Sequence, residues 1–464
     1  MQSDLYALGF QGSVATPTSE NYEEAIKRQS ATAALRPAYV CYPIGPADIS
    51  LAIKFALTQD PPLEIAVKSG GCHTSTNAST DGGLVVDLAL LKGVEVSEDR
   101  KTVAFQSGCL WGDVYSELEK HGLKAVGGST WFVGVGGYMT GGGYSNLSGQ
   151  FGLAIDNLVS AEIVLADGRI VRCSADDEPD LFWAIRGGGN QFGIVTEFVA
   201  RTYPIRGPAL SGALFYAVTD LKHVLGVLHE FLETQPATTY LCFGFARSPP
   251  HFQPSIIAIP YVDGGDSAAA EAFTALFQTK LAPLVSHLAS LPSLNTASHA
   301  GDALLLDVPP RGVTTAALFS VLYDDVVEWV FNEWLNFTDN EETKRTLALF
   351  EFFKRGKVDG VAVGDTAYSV RAPHWYMALG TRHTNPELDK HAEDWADKVT
   401  SCVKRQNAER TGQMLPTPAN MALGPDYTST EEVYGENLPR LRKIKAKYDP
   451  TKVWRRGWVI EPSL

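Results

Sequence analysis

The sequence predicts an α+β protein built as two domains, and three observations lead there. At 464 residues the chain exceeds the size at which a single core stops growing. From about Arg36, short apolar runs with strand patterning alternate with helical runs. From about Pro204 to Leu415 the glycine clusters of the first half vanish, and longer amphipathic helices take over.

The elements follow in order. Ala38 to Tyr42 reads as a strand and Pro46 to Thr58 as a helix opened by its proline. Leu63 to Val67 is a strand running into Ser69-Gly70-Gly71. Further strands are expected at Gly83 to Leu88, Thr102 to Gln106, Ser160 to Leu165 and Ile170 to Cys173, the last two joined by the hairpin signal Asp167-Gly168. Helices are expected at Leu110 to Lys120 and Pro179 to Ala184. In the second half Ser267 to Leu281 and Leu318 to Leu335 read as helices and Tyr240 to Ala246 as a strand. The tail puts Leu438, Leu441, Ile444 and Tyr448 on one helical face, which Asp449-Pro450 ends.

Composition narrows the function. A net charge of −14 would repel a phosphate backbone or an anionic leaflet, so neither nucleic acid nor membrane is an expected partner. No uninterrupted apolar run reaches the roughly 18 residues of a span, and Leu318 to Trp334 carries Asp324, Asp325, Glu328 and Glu333. The first residues lack a leader pattern, which makes the protein cytoplasmic as written and secreted if a leader has been removed. Six cysteines stand singly with no CxxC, so no zinc site or dense disulfide scaffold is expected, and one or two bridges stay open. His374 has no ligand partner at helical or strand spacing, and no metal is expected.

Three glycine clusters carry the chemistry: Lys68-Ser-Gly-Gly-Cys-His73, Gly134-Val-Gly-Gly-Tyr-Met-Thr-Gly-Gly-Gly143 and Arg186-Gly-Gly-Gly-Asn-Gln-Phe-Gly-Ile194. Glycine admits positive φ and close backbone approach, which lets main-chain amides converge on phosphate oxygens. No GxxxxGK[ST] occurs, and no GxGxxG follows the first strand, so neither a P-loop nor a Rossmann site is present.

These clusters, with Asp81-Gly-Gly-Leu-Val-Val-Asp-Leu, Gly152-Leu-Ala-Ile-Asp-Asn-Leu, Ala166-Asp-Gly, Asp180-Leu-Phe-Trp-Ala-Ile-Arg and Tyr434-Gly-Glu-Asn, resemble the berberine bridge enzyme-like branch of the vanillyl alcohol oxidase superfamily, whose FAD domain is of the PCMH type. The resemblance implies a vanillyl alcohol oxidase-type fold. Its split FAD-binding domain would comprise residues 1–204 and 416–464, around an antiparallel-sheet substrate domain at 205–415. It implies that Ser69, Gly70, Gly71, Cys72, His73 and Thr74 wrap the FAD pyrophosphate. Gly134, Gly136, Gly137, Gly141, Gly142 and Gly143 would run along the cofactor, with the backbone of Gly193 and Ile194 meeting it. Asp156-Asn157 would hold the flavin-side loop.

In the family a His after the glycines bonds to the 8α carbon of the flavin. Either Cys72 replaces the last glycine and His73 is the tether, or the altered loop leaves the flavin unlinked; the tether is the reading adopted. Thr130 stands where many members carry a second, cysteine tether, and a hydroxyl does not replace a thiolate. The link would be single. Val133 matches the oxygen gate, where Val marks oxidases.

The family's Y-x-N-Y base motif is here Pro418-Ala-Asn-Met421, which loses both tyrosines. Substitute bases are Tyr138, or Tyr368, Arg371, His374 and Tyr376 on the run Ala367 to Met377. Strand alternation would oppose Tyr368 to Arg371 unless Pro373 breaks the register. The expected activity is that of a monomeric FAD-dependent oxidase. It would remove a hydride from an alcohol, a sugar or a secondary metabolite and pass electrons to O2, giving hydrogen peroxide. The alternatives are a dehydrogenase or oxidative cyclase of the same fold, or a redox-silent flavin-binding module.

Overall fold

In the computed structural model, which describes residues 2–463, no strand-to-strand ladder crosses the region after Pro204. Two sheets form before it and one after. The first is four-stranded, in the spatial order Ser13–Ala15, Tyr39–Tyr42, Leu84–Asp87, Ile65–Lys68. Its last two pairings are parallel, and the helix Pro46–Thr58 carries the chain from Tyr39–Tyr42 across to Ile65–Lys68 at the edge. That helix buries Ile49, Ala52, Ile53 and Ala56, the spacing of one helical face.

The second sheet is antiparallel, in the order Val94–Val96, Thr102–Gln106, Ile194–Pro204, Leu158–Val164, Ile170–Ser174, with Leu123–Ala125 pairing the far end of Ile194–Pro204. Asp167-Gly168 makes the predicted turn: Gly168 has φ +83°, and Asp167 Oδ1 accepts from Arg169 N at 2.9 Å. The central strand Ile194–Pro204 was not expected, because its alternation is interrupted by Thr196 and Glu197. The helix Leu438–Tyr448 returns to this half of the chain. Lys445 Nζ donates to the Gln191 and Trp454 carbonyls at 2.7 and 2.9 Å.

The third sheet has nine strands, all antiparallel, from Ala209–Ser211 to Trp375–Gly380. Its centre runs Pro254–Val262, Thr239–Arg247, Leu347–Phe353, Trp375–Gly380, Thr314–Phe319. One face carries Phe245 and Phe350, and the Phe245 ring meets Phe331 and Trp334 of the helix Asp324–Phe337. Period-two alternation puts Tyr240, Cys242, Leu347, Leu349 and Glu351 on the opposite face, where they line a cavity.

Two second-half expectations are corrected. Leu318 lies in the strand Thr314–Phe319, and the helix begins only at Asp324, where Asp324 and Asp325 sit at its positive end. The run Ala367 to Met377 is irregular until Trp375, so strand alternation does not govern Tyr368 and Arg371. Among the described residues all six cysteines are free, and no helix is long and apolar enough to cross a membrane.

Candidate functional site

The first two glycine clusters meet each other. The strand Ile65–Lys68 ends in Ser69-Gly70, which lies against Gly134 at the start of the short helix Val135–Thr140. A Cβ on Gly134 would fall 2.3 Å from the Gly70 nitrogen, so glycine is required there for backbone-to-backbone contact. Ser69 Oγ stitches the junction, donating to Ser107 O at 2.6 Å and accepting from Gly136 N at 3.1 Å. Gly137 is exposed with open space where its Cβ would be.

His73 sits in this junction. Its Nδ1 accepts from Ser75 N at 3.0 Å and lies 2.7 Å from Ser75 Oγ. Its buried Nε2 has no hydrogen-bond partner within 3.5 Å. Burial pushes the imidazole down to about 4, so the ring is neutral. A long hydrogen bond to the Ala419 main chain acts against that burial, and the next residue, Asn420, packs where a Cβ on Gly141 would meet it at 2.8 Å. Asn420 Oδ1 is also buried without a partner. One unsatisfied polar atom, Asn420 Oδ1, and one weakly bonded one, His73 Nε2, thus flank the glycine run, a costly arrangement unless a ligand meets them. Cys72 Sγ donates to Phe132 O at 3.3 Å, and burial raises its thiol pKa, so it is no rival nucleophile.

Several of the expected cofactor-side residues are engaged within the protein, Asn157 as the loop holder the resemblance implied. Asn157 Nδ2 donates to Phe151 O and Leu153 O at 3.0 and 2.8 Å, and its Oδ1 accepts from Tyr203 at 2.6 Å, which makes it a loop anchor. Gly193 makes its close approach to the Val164 carbonyl, and Ile194 is a buried core residue paired with Val164. Thr74 Oγ1 accepts from Thr314 N at 2.8 Å, tying the loop to the third sheet. Val133 packs on the core and accepts from Trp111 N at 3.0 Å. Thr130 lines the cavity beneath the third sheet.

Of the proposed bases, Tyr368, His374 and Tyr376 gather around Tyr144, while Tyr138 and Arg371 are committed elsewhere. Tyr138 donates to the Tyr144 carbonyl. Arg371, 3% exposed, forms a two-pronged ion pair with Asp156 at 2.7 and 3.0 Å and donates to Thr366 Oγ1 at 3.0 Å, so it braces the loop. Tyr368 belongs to a cluster that sequence reasoning missed, centred on Tyr144, whose hydroxyl lies 2.8 Å from Tyr368 Oη and 2.6 Å from His374 Nε2. His374 Nδ1 donates to Ala372 O at 2.6 Å, which makes Nε2 the acceptor. Burial drives its pKa down to about 4. The Tyr376 ring packs 4.8 Å from that of Tyr144, and its hydroxyl lies 3.0 Å from that of Tyr240.

Tyr240 leads to the group least visible in the sequence, Glu351. It lies opposite Cys242 on one neighbouring strand and Tyr376 on the other. Its side chain keeps access to a cavity of about 90 Å³ lined also by Ser129, Thr130 and Asn146. Burial raises the carboxyl to about 7, while hydrogen bonds from Tyr240 and Cys242 act in the opposite direction.

The chain resembles known proteins along its whole length. Residues 37–174 match a family described as "FAD binding domain", and residues 420–457 one described as "Berberine and berberine like". An FAD-linked oxidoreductase of Aspergillus terreus is 30% identical over 462 residues, 96% of this chain and 92% of that protein. (R)-6-hydroxynicotine oxidase of Paenarthrobacter nicotinovorans is 32% identical over 226 residues, 49% of each chain. Among solved structures, xylooligosaccharide oxidase from Myceliophthora thermophila superposes with a TM-score of 0.83 at 23% identity, covering 100% of this chain and 99% of that one. The 6-hydroxy-D-nicotine oxidase of Arthrobacter nicotinovorans gives 0.81 at 24%, covering 98% and 99%. At these identities the superpositions establish the fold.

Proposed function

The chain belongs to the berberine bridge enzyme-like family of FAD-linked oxidoreductases, and from that premise we propose that it is an oxidase with FAD attached through Nε2 of His73. The observation that carries the attachment is the state of the imidazole. Nδ1 accepts from Ser75 N, so in the neutral ring the proton is on Nε2, which lies buried beside the glycine junction with no hydrogen-bond partner within 3.5 Å. Nε2 would give up that proton as it bonds to carbon, leaving the tethered ring neutral. FAD supplies a two-electron acceptor when bound. Ser69, Gly70 and Gly134 to Gly137 would hold it, with Asn420 Oδ1 accepting from the group seated beside Gly141.

Oxidase rather than dehydrogenase activity is favoured by Val133 before the glycine run and by the bacterial relative that is itself an oxidase. The substrate would be an alcohol, a sugar or a secondary metabolite, with O2 as electron acceptor and hydrogen peroxide as product. The chain's part is to seat the substrate under the third sheet, exclude water and take one proton.

Acid precipitation tests the attachment. Colour should stay with the pellet, and His73→Ala should release it to the supernatant. Colour lost from the wild type on precipitation would refute the tether. For the acceptor, the reduced protein should reoxidise in air with stoichiometric peroxide; reduced protein that stays bleached in air would overturn the oxidase reading.

A further inference from the structure

Two cavities join in the second half of the chain. The smaller, of about 90 Å³ beneath the third sheet, is walled by Ser129 and Thr130 just ahead of the glycine run. The wider measures about 620 Å³ and shares Ser211, Ala300 and Leu304 with it. The sides of the wider cavity are chiefly apolar, with Phe215, Pro249, Leu284, Val285 and Leu291. Among the described residues no Lys, Arg, Asp or Glu lines it, and its titratable side chains are the imidazoles of His251, His287 and His299. Such a volume suits a multi-ring body rather than one small ring.

His299 stands beside the shared Ala300, where the two cavities meet, and its ring is fixed from two sides. It stacks on Trp131, with centroids 5.1 Å apart and planes at 24°, and its Nδ1 lies 2.8 Å from Asp302 Oδ2. Asp302 is itself aimed by Trp131, whose Nε1 donates to Oδ1 at 3.0 Å. A carboxylate only accepts, so Nδ1 carries the proton of the neutral ring and Nε2 presents a lone pair. With its side chain 46% exposed, His299 gains little from burial, so the clamp fixes the direction of the ring rather than its packing. A second polar group waits on the same lining: Ser248 Oγ is buried with no hydrogen-bond partner within 3.5 Å, a cost unless a ligand meets it.

We propose that His299 is a specificity-determining residue: its Nε2 accepts the O–H of a phenol on the far ring of a multi-ring alcohol, whose reacting end enters the smaller cavity. The inference rests on the oxidase reading above and names its substrate class. A phenol donates where an ether or a bare ring does not, and an acceptor left unpaired against these discriminates against them. The bond is made to a part of the substrate that does not react. It should therefore appear in binding and leave the rate of flavin reduction in the bound state unchanged.

The holoenzyme, His299→Phe and Asp302→Asn serve as the test. Titration calorimetry with 4-hydroxybiphenyl and 4-methoxybiphenyl, neither of which has a carbinol to oxidise, reads binding alone. The wild type should hold the hydroxyl ligand about tenfold tighter than the methoxy one. His299→Phe keeps a ring for Trp131 to stack on but removes the acceptor, so the two ligands should bind within about twofold of each other. In Asp302→Asn the amide can donate to Nδ1 and move the ring proton to Nε2, which then donates to the ether oxygen, so the preference should narrow; a merely structural loss would weaken both ligands alike. With 4′-hydroxybiphenyl-4-methanol under anaerobic conditions, His299→Phe should raise the half-saturating concentration for flavin bleaching about tenfold at an unchanged limiting rate. No measurable binding of 4-hydroxybiphenyl to the wild type, equal affinity for the two biphenyls, or a preference that survives His299→Phe would each overturn the inference. The predicted preference in binding with a flavin that the carbinol never bleaches would count against the oxidase reading instead.

Discussion

Replacing Lys445 with methionine should separate the C-terminal tail from the rest of the FAD-binding half. The side chains of Lys445 and Asp449 are both fully buried, 2.7 Å apart, and Lys445 Nζ also serves the Gln191 and Trp454 carbonyls. Asp449 is held by Val453 N and Trp454 N at 2.8 and 3.0 Å. Methionine fills the stem but leaves a buried carboxylate without its cation, a loss of about 3–5 kcal/mol. The two carbonyls lose a donor, and together the damage should reach about 5 kcal/mol, a large share of ordinary domain stability. Guanidinium unfolding of the holoprotein, followed by flavin release and by tryptophan fluorescence, measures it. The double variant Lys445→Met, Asp449→Asn should recover part of the loss, because the orphaned charge goes with it. A single-variant loss below about 1 kcal/mol, or a double variant no better than the single, would refute the reasoning.

Three further outcomes follow from the site. Gly134→Ala places a methyl 2.3 Å from the Gly70 nitrogen, so the flavin-to-protein absorbance ratio should fall sharply and stability should drop by about 1–3 kcal/mol; an unchanged ratio would mean that the junction can open without cost. Arg371→Met strands Asp156 and should cost about 3–5 kcal/mol in unfolding free energy while leaving the pH profile of flavin reduction unmoved; a shifted profile at wild-type stability would restore Arg371 as a base candidate. Glu351, raised from 4.5 to about 7, keeps in the native state a proton that the unfolded chain has already released between those values. Wild-type stability should therefore fall as pH rises through this window, by up to about 3 kcal/mol at about 1.4 kcal/mol per pH unit, and level off beyond it. Glu351→Gln should lack that fall, and parallel stability curves for the two proteins between pH 5 and 8 would contradict it.

What was legible in the sequence was what neighbouring residues determine. The helix Leu438–Tyr448 begins and ends where its apolar face and Asp449-Pro450 place it, and the Asp167-Gly168 turn forms as its residue types require. The helix expected from Leu318 starts at Asp324 because Leu318 and Phe319 finish a strand, and the apolar run passes through the intervening turn without a change of character. The glycine clusters announced close backbone approach but not its object: Gly70 and Gly134 use it on each other, and Gly193 uses it on the Val164 carbonyl.

The site shows the same division more sharply. Tyr368, Arg371, His374 and Tyr376 lie within nine residues, yet they partner Tyr144, Asp156, Tyr144 and Tyr240, each more than 100 positions away. No local pattern encodes those pairings. Glu351 did leave a local trace, a lone acid in Leu-Ala-Leu-Phe-Glu-Phe-Phe, and a strand of that composition buried on both faces would not hold an acid without a reason. Alternation alone sets it on the face of Leu347 and Leu349. Only the ladder to Thr239–Arg247 and Trp375–Gly380 surrounds it with neutral hydroxyls and a thiol instead of a cation, and that difference turns a salt-bridge residue into a group poised to take a proton.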